Sequence, residues 1–244
     1  MLRAFLISFV ELAAVSPFVL LALRTSSIRK RGLLLVVAGL LVLEEACLLA
    51  PHLGFFASLQ WNWQGKLLEI LWTLLLGTLA PGVSLSQFGI AARPAKGSWR
   101  AILLVTVIAL PFPIYAFVVG PRTPFDRETL LFELTIPGIA EESVFRGVFQ
   151  SLLNEVFGKP WRISKASVGW GVVLTALLFV AGHVFYVDRH FIIHFGQQPL
   201  LILIPALLAG WLRERCESVW PGVVLHNLAN SIGPVGSWLL AALR

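Results

Sequence analysis

Two adjacent glutamates and an arginine interrupt an apolar run between positions 130 and 157. Glu142 and Arg146 are four residues apart with the acid first, which is the favourable order for an ion pair on a helix. Glu141 points about 100° away from Glu142 and has no partner nearby in the sequence. A charged side chain at the centre of a membrane helix costs about 2.5–3.5 kcal/mol, so such groups usually mark a functional site. The pattern predicts one neutralised pair and one spare carboxylate; a structural salt-bridge cluster between helices is the alternative.

Two histidines lie in other apolar runs of the chain. His183 falls near the end of one run, four residues after Phe179. His226 is followed four residues later by Asn230, so both side chains point from the same face of a helix. Polar side chains on an apolar helix need partners inside a helix bundle. We therefore predict that these three polar residues share one site with Glu141.

The residue types in this site indicate hydrolysis. A carboxylate beside a histidine can hold a water molecule and accept its proton. A second histidine with an asparagine can donate hydrogen bonds to a developing oxyanion. Together they predict amide hydrolysis by activated water, without a covalent intermediate. A zinc ion held by Glu141, His183 and His226 is the alternative; the chain has no HExxH motif, and we favour a site without metal.

Several other polar residues are interpreted as structural. Trp61, Trp63 and Lys66 stand where the third apolar run begins, which is typical of a membrane interface belt. Glu69 and Glu133 lie near predicted helix ends and are expected to be interfacial. None of these five residues is expected to contact a ligand.

The remaining acids and histidines give weaker signals. Glu44 and Glu45 form a second acidic pair, but no arginine follows four residues later, so we expect no catalytic role. Glu11 lies deeper in its run, and the sequence offers no partner for it. His190 and His194 have helical spacing but fall in a polar loop, so we predict surface histidines rather than a metal site.

The composition is that of an integral membrane protein. Of the 244 residues 57% are hydrophobic and 13% are charged, whereas soluble domains carry about 25% charged residues. We predict a single all-α domain, residues 1–244, that crosses the membrane many times. Its two cysteines, Cys47 and Cys216, should lie on opposite sides of the membrane and remain unpaired. The expected spanning segments are 4–23, 33–50, 67–90, 101–120, 129–156, 168–187, 199–212 and 219–243.

The basic residues favour one orientation of this domain. Alternate loops, including those with Lys96 and Arg100, Lys165, and Arg215, hold about twice as many Lys and Arg residues as the other set. The richer set is predicted to be cytoplasmic, with both termini outside. The net charge of +6 is explained in this way, so we expect no nucleic-acid partner.

Three short motifs on separate predicted helices resemble those of the CaaX protease and bacteriocin-processing family, also called the Abi family. They are, in order, Glu141-Glu142-x-x-x-Arg146, Phe179-x-x-x-His183 and His226-x-x-x-Asn230. The ordered triple covers roughly residues 130–232. It implies an intramembrane endopeptidase of the glutamic type, built as a helix bundle around a polar cavity.

The resemblance also implies roles for the residues. Glu141 and His183 would activate water, His226 and Asn230 would stabilise the oxyanion, and the Glu142–Arg146 pair would support the site. No cofactor is implied. The substrate would be a membrane-associated or lipidated protein or peptide, cleaved near its C-terminus, as in CaaX-type processing or removal of a C-terminal sorting signal.

Three other functions remain open from the sequence. One is a proton-coupled transporter in which carboxylates and histidines form a relay, although the missing inverted repeat counts against it. A metal-dependent endopeptidase could use the same residues, and a non-proteolytic immunity or adaptor protein could use the polar cluster to bind a partner. In each case the protein is expected to be a multi-pass membrane protein, in the plasma or inner membrane if it is prokaryotic.

Overall fold

The computed structural model describes residues 1–26, 28, 30–120, 124–196 and 198–242, and it is mostly helical. A π-helical segment, Glu142–Phe149, joins the sixth helix to the seventh, and a 3-10 turn covers Gly54–Ser58. The α-helices are α1 (Leu2–Thr25), α2 (Leu33–Leu48), α3 (Trp63–Leu79), α4 (Trp99–Ala109), α5 (Pro111–Val119), α6 (Arg127–Glu141), α7 (Gln150–Phe157), α8 (Trp170–Val184), α9 (Pro199–Cys216) and α10 (Trp220–Ala242).

Two short antiparallel hairpins add to the helices, and the sequence did not predict them. Strands β1 (Trp161–Ile163) and β2 (Ala166–Val168) pair between α7 and α8. Strands β3 (Phe185–Val187) and β4 (Ile193–Phe195) pair between α8 and α9. The all-α prediction therefore holds for most of the chain but not for these two connections.

All eight predicted segments contain helix, but some of their ends are wrong. The third was predicted over 67–90, whereas α3 ends at Leu79 and the chain then turns at Gly82 and Gly89, whose φ angles are 81° and 72°. The sixth stops at Val184 because β3 begins there. Position 243, the predicted end of the eighth, lies outside the described residues. The two cysteines are free thiols, as predicted.

The surface of the bundle is strongly apolar. Within the described part of the chain, two helical stretches are long and apolar enough to cross a membrane, Leu2–Thr25 and Trp99–Val119, and α8 is a shorter apolar helix. Large side chains such as Leu35, Leu103 and Leu131 are more than half exposed. Exposed apolar surface on this scale is typical of a protein surrounded by lipid.

The π-helical segment forms the centre of the bundle. All of its residues are buried, and Val144, Val148 and Phe149 have no exposed surface. It contacts α3, α6, α7, α8 and α9, and side chains of α1 and α2 belong to the same main hydrophobic cluster. The charged residues of this segment are therefore held in the best-packed part of the molecule.

The side chain of Asn227 links α10 to α6 through two hydrogen bonds. Its side-chain oxygen accepts a hydrogen bond from the Gly138 amide at 2.7 Å, and its side-chain nitrogen donates to the Thr135 carbonyl at 2.8 Å. A Cβ at Gly138 would lie 2.5 Å from the Asn227 oxygen and 2.7 Å from the Val223 carbonyl oxygen. Only glycine at this position allows the two helices to approach so closely.

The loop between β3 and β4 is organised by Asp188. Hydrogen bonds from the His194 ring and the Ile192 amide lower the pKa of Asp188 to about 2. Their contribution to stability is complete above the unfolded pKa of about 3.9 and is lost as the pH falls towards 2. His190 is exposed and His194 is half-buried, in agreement with the predicted surface histidines.

We predict that Gly138→Ala destabilises the protein, because the added methyl group forces α6 and α10 apart. Overpacking of this kind typically costs about 1–3 kcal/mol, which thermal unfolding of the purified protein would detect. Gly39→Ala in α2 is the matched control, since a Cβ there meets nothing within 4 Å. Equal unfolding temperatures for the two variants would contradict the role given to the Gly138–Asn227 contact.

Candidate active site

The π-helical segment begins at the two acids singled out in the sequence. Helix α6 ends at Glu141, and the wider winding starts at Glu142. Single π-helical turns within α-helices are frequent at functional sites. The turn leaves both carboxylates buried, with 8% of Glu141 and 2% of Glu142 exposed.

Glu142 joins Arg146 to His226. One carboxylate oxygen lies 3.3 Å from Arg146 Nε, which confirms the ion pair expected from the spacing. The other oxygen accepts a hydrogen bond from His226 Nδ1 at 2.9 Å. The Arg146 guanidinium also lies 4.3 Å from the centre of the Phe179 ring. This chain of contacts fixes the His226 ring, so that its Nε2 faces Glu141.

Glu141 meets two imidazole rings from different helices. Its Oε2 lies 3.8 Å from His183 Nε2 on α8 and 3.7 Å from His226 Nε2 on α10. Both distances are too long for a direct hydrogen bond. Both are short enough for one water molecule, about 2.8 Å from each atom, to bridge them. The structure thus brings together three of the four residues predicted to share a site.

The orientation of His183 follows from its own helix. Its Nδ1 lies 2.8 Å from the Phe179 carbonyl oxygen, so Nδ1 carries the proton in the neutral ring. Nε2 then has a free lone pair directed towards Glu141. The Phe179 ring packs 4.3 Å from the His183 ring and 6.0 Å from the His226 ring, and so holds the two imidazoles apart.

Asn230 lies one turn beyond His226 and has a different neighbour. Its amide is hydrogen-bonded to the carboxylate of Glu133 on α6. Glu133, which we expected at the membrane interface, is half-buried beside the site. The fourth predicted residue therefore lies at the edge of the group formed by Glu141, His183 and His226.

The prediction that Glu141 has no partner is wrong. Lys66 Nζ lies 3.1 Å from Glu141 Oε1 and 3.0 Å from Glu69 Oε1. Only 9% of Lys66 and none of Glu69 is exposed. The interfacial interpretation of Lys66 and Glu69 is therefore also wrong. The Trp61 ring stacks on the Phe132 ring, with 5.2 Å between the ring centres. The i,i+3 spacing of Lys66 and Glu69 on an apolar helix was the signal that could have identified them.

A cavity of about 150 Å³ opens beside Glu141 and His183. Three further acids line it, Glu11, Glu44 and Glu45, of which the first is 99% buried. No part in the site was predicted for these three acids from the sequence. They line it because α1 and α2 pack against the same side of the bundle as α8 and α3.

Among the described residues, no three His, Cys, Asp or Glu side chains are grouped closely enough to hold a metal ion. The site without metal stays a prediction that needs a direct test.

A buried carboxylate facing two imidazoles inside an apolar helix bundle is an arrangement that can hold a water molecule and accept its proton. Residues 127–232 match the family described as type II CAAX prenyl endopeptidase Rce1-like. The chain therefore carries a domain of this family, which contains every residue of the three motifs. The resemblance seen in the sequence is confirmed, and a match to a CAAX prenyl endopeptidase family supports the prediction that the protein is a protease. No curated protein and no solved structure matches the chain significantly.

We predict that Lys66→Met destabilises the protein by about 3–5 kcal/mol, because it leaves two buried carboxylates without their cation. Thermal unfolding of the purified protein would measure the change. Lys30→Met is the matched control: it removes an exposed ion pair with Glu155, 2.8 Å long, and should cost no more than about 1 kcal/mol. If Lys66→Met unfolds no earlier than the control, the buried pair does not stabilise the fold.

Proposed function

We propose that the chain is an intramembrane endopeptidase in which Glu141 and His183 activate a water molecule for attack on a peptide carbonyl. The observation that supports this most directly is the position of Glu141 Oε2, 3.8 Å from one imidazole nitrogen and 3.7 Å from another. Water held there would contact a carboxylate oxygen and a nitrogen lone pair, and either can accept its proton. The proton would later pass to the leaving amine.

Lys66 determines which oxygen of Glu141 takes part. Its ammonium group occupies Oε1 at 3.1 Å, so Oε2 remains directed to the histidines. Fixing the carboxylate in this way reduces the reorganisation needed when the water attacks. Lys66 and Glu69 are thus proposed as positioning residues rather than groups that contact the substrate.

His226 and Asn230 are proposed to stabilise the oxyanion. His226 Nδ1–H donates a hydrogen bond to Glu142, and when the ring is doubly protonated Nε2–H can donate a second one to the developing negative charge. Asn230 has two N–H groups; one is used by Glu133, and the other can reach a substrate oxygen. Donors already in place when charge develops contribute most to such catalysis.

The site is proposed to lie within the bilayer, in a bundle that crosses it eight times. The exposed apolar faces of the helices and the positions of the predicted segments support this arrangement. Lipid around the bundle would exclude water from the apolar surface, while the cavity beside Glu141 admits it. A substrate tail that is anchored in the membrane could then enter from the lipid.

The proposed substrate is the C-terminal region of a membrane-associated protein or peptide. The family description names a CAAX prenyl endopeptidase, so a farnesylated CAAX peptide is the first substrate to test. Tails that carry a C-terminal sorting signal are the second, because they too bring a peptide bond to the membrane without requiring a prenyl group.

We predict that Glu141→Gln lowers cleavage by roughly 10²–10⁴-fold, which is the usual contribution of a general base. The amide keeps the shape of the side chain but cannot accept the proton of water. Mass spectrometry of the peptide products would measure the loss, and unfolding temperature would show that the variant is folded. Glu155→Gln, an exposed carboxylate outside the site, is the control and should cleave normally. Undiminished turnover by Glu141→Gln would refute the mechanism.

We also expect cleavage to survive exhaustive chelation, because the proposed water is activated by Glu141 and His183 alone. Peptide turnover before and after treatment with a chelator, together with elemental analysis of the purified protein, checks this. Loss of activity that zinc restores would favour the metal-dependent alternative.

A further inference from the structure

A second cavity lies away from the candidate active site, at the start of the Trp99–Val119 segment. Its volume is about 420 Å³. Three separate parts of the chain form it: the turn that leads into α4, the β1–β2 hairpin, and the C-terminal half of α9. Four basic side chains and two tryptophans dominate its lining: Lys96, Arg100, Lys165, Arg215, Trp99 and Trp211.

The four cations of this basic pocket are not paired with acids among the residues that the structure describes. None of them forms an ion pair with any residue in the part of the chain that the structure describes, although Arg100 lies 5.2 Å from the centre of the Trp99 ring. Elsewhere, Lys30, Lys66 and Lys159 each have a carboxylate within about 3 Å. Bringing four like charges around one cavity is unfavourable unless an anion offsets them.

Hydrogen bonds hold the walls of the basic pocket in place. The β1–β2 turn has positive φ angles at both central residues, 44° at Ser164 and 69° at Lys165, which is the tight turn favoured in hairpins. Trp211 Nε1 donates to the Ile163 carbonyl at 3.1 Å and fastens this hairpin to α9. The Ala95 amide donates a hydrogen bond to the Cys216 carbonyl at 2.8 Å and so links the turn before α4 to the end of α9. The pocket is therefore a fixed feature of the fold.

The position of the basic pocket matches the depth of lipid headgroups. It begins at the end of a segment long and apolar enough to cross a membrane. Leu104 lines the pocket, and Leu103 and Leu104 are exposed on the apolar side below it. Tryptophan is enriched at membrane interfaces, and Trp99 is 61% exposed here. All three contributing loops belong to the set that the sequence predicts to be cytoplasmic.

We propose that the basic pocket binds the phosphate-bearing headgroup of an anionic membrane lipid. Arg100 and Lys165 would face the phosphate from opposite walls, and the acyl chains would follow the exposed leucines of α4. Guanidinium and ammonium groups are the usual partners of such headgroups. A soluble phosphate compound shares the charge but has no use for the adjoining apolar surface. The proposal is independent of the peptidase activity.

The test is lipid binding to the full-length protein in neutral detergent, followed by native mass spectrometry. Dioleoylphosphatidylglycerol is titrated against dioleoylphosphatidylcholine, which has the same chains and no net charge. We expect the wild type to prefer the anionic lipid. The double variant Arg100→Gln/Lys165→Gln should lose roughly 30-fold in affinity for it, which is the contribution of two basic residues at a membrane surface.

Two controls make the result decisive. Arg31→Gln removes an exposed cation outside the pocket, and it should leave the preference unchanged. Glycerol phosphate, the headgroup fragment without chains, should not compete at the concentration where the lipid saturates. Equal binding of both lipids by the wild type, an unchanged preference in the double variant, or equally strong competition by glycerol phosphate would overturn the proposal.

Discussion

Burial of Glu141 depends on one cation, Lys66. A carboxylate moved from water into an apolar bundle costs several kcal/mol unless a counter-charge and hydrogen bonds compensate it. Lys66 Nζ is 3.1 Å from Glu141 and 3.0 Å from Glu69, so one lysine serves two acids on two helices. The same contact leaves only Oε2 of Glu141 for the histidines. A single ion pair thus both permits burial of the acid and leaves its other oxygen facing the two histidines.

The charge of the neighbouring acid, Glu142, is compensated by a different cation from the one that pairs with Glu141. Glu142 forms an ion pair with Arg146 on the same segment, and its other carboxylate oxygen accepts a hydrogen bond from His226. Since His226 contacts both acids, its position depends on how closely α10 approaches α6. That distance is set one residue further along, where Asn227 bonds to the backbone at Gly138. The polar site and the close helix contact are therefore one structural unit.

Local patterns in the sequence were sufficient for the helices and for much of the site. Apolar runs placed the eight segments, and i,i+4 spacing found the Glu142–Arg146 pair, because both depend on neighbours in the chain. The partnership of Lys66 with Glu141 joins residues far apart in the sequence, and no local pattern encodes which helix packs against which. The end of the third segment was missed for a different reason: Pro81-Gly82 is a local turn signal, but the prediction continued the helix through it.

The two polar regions of the molecule differ in whether their charges are balanced internally. Around Glu141, cations from the chain itself pair with the two central acids, so these charges are compensated before any substrate arrives. In the basic pocket, the described residues supply four cations and no carboxylate to pair with them. In a low-dielectric setting the first arrangement is stable alone, whereas the second gains stability from an anion brought from outside. The two regions therefore differ in the source of their counter-charges: folding supplies them around Glu141, and a membrane lipid would supply them in the basic pocket.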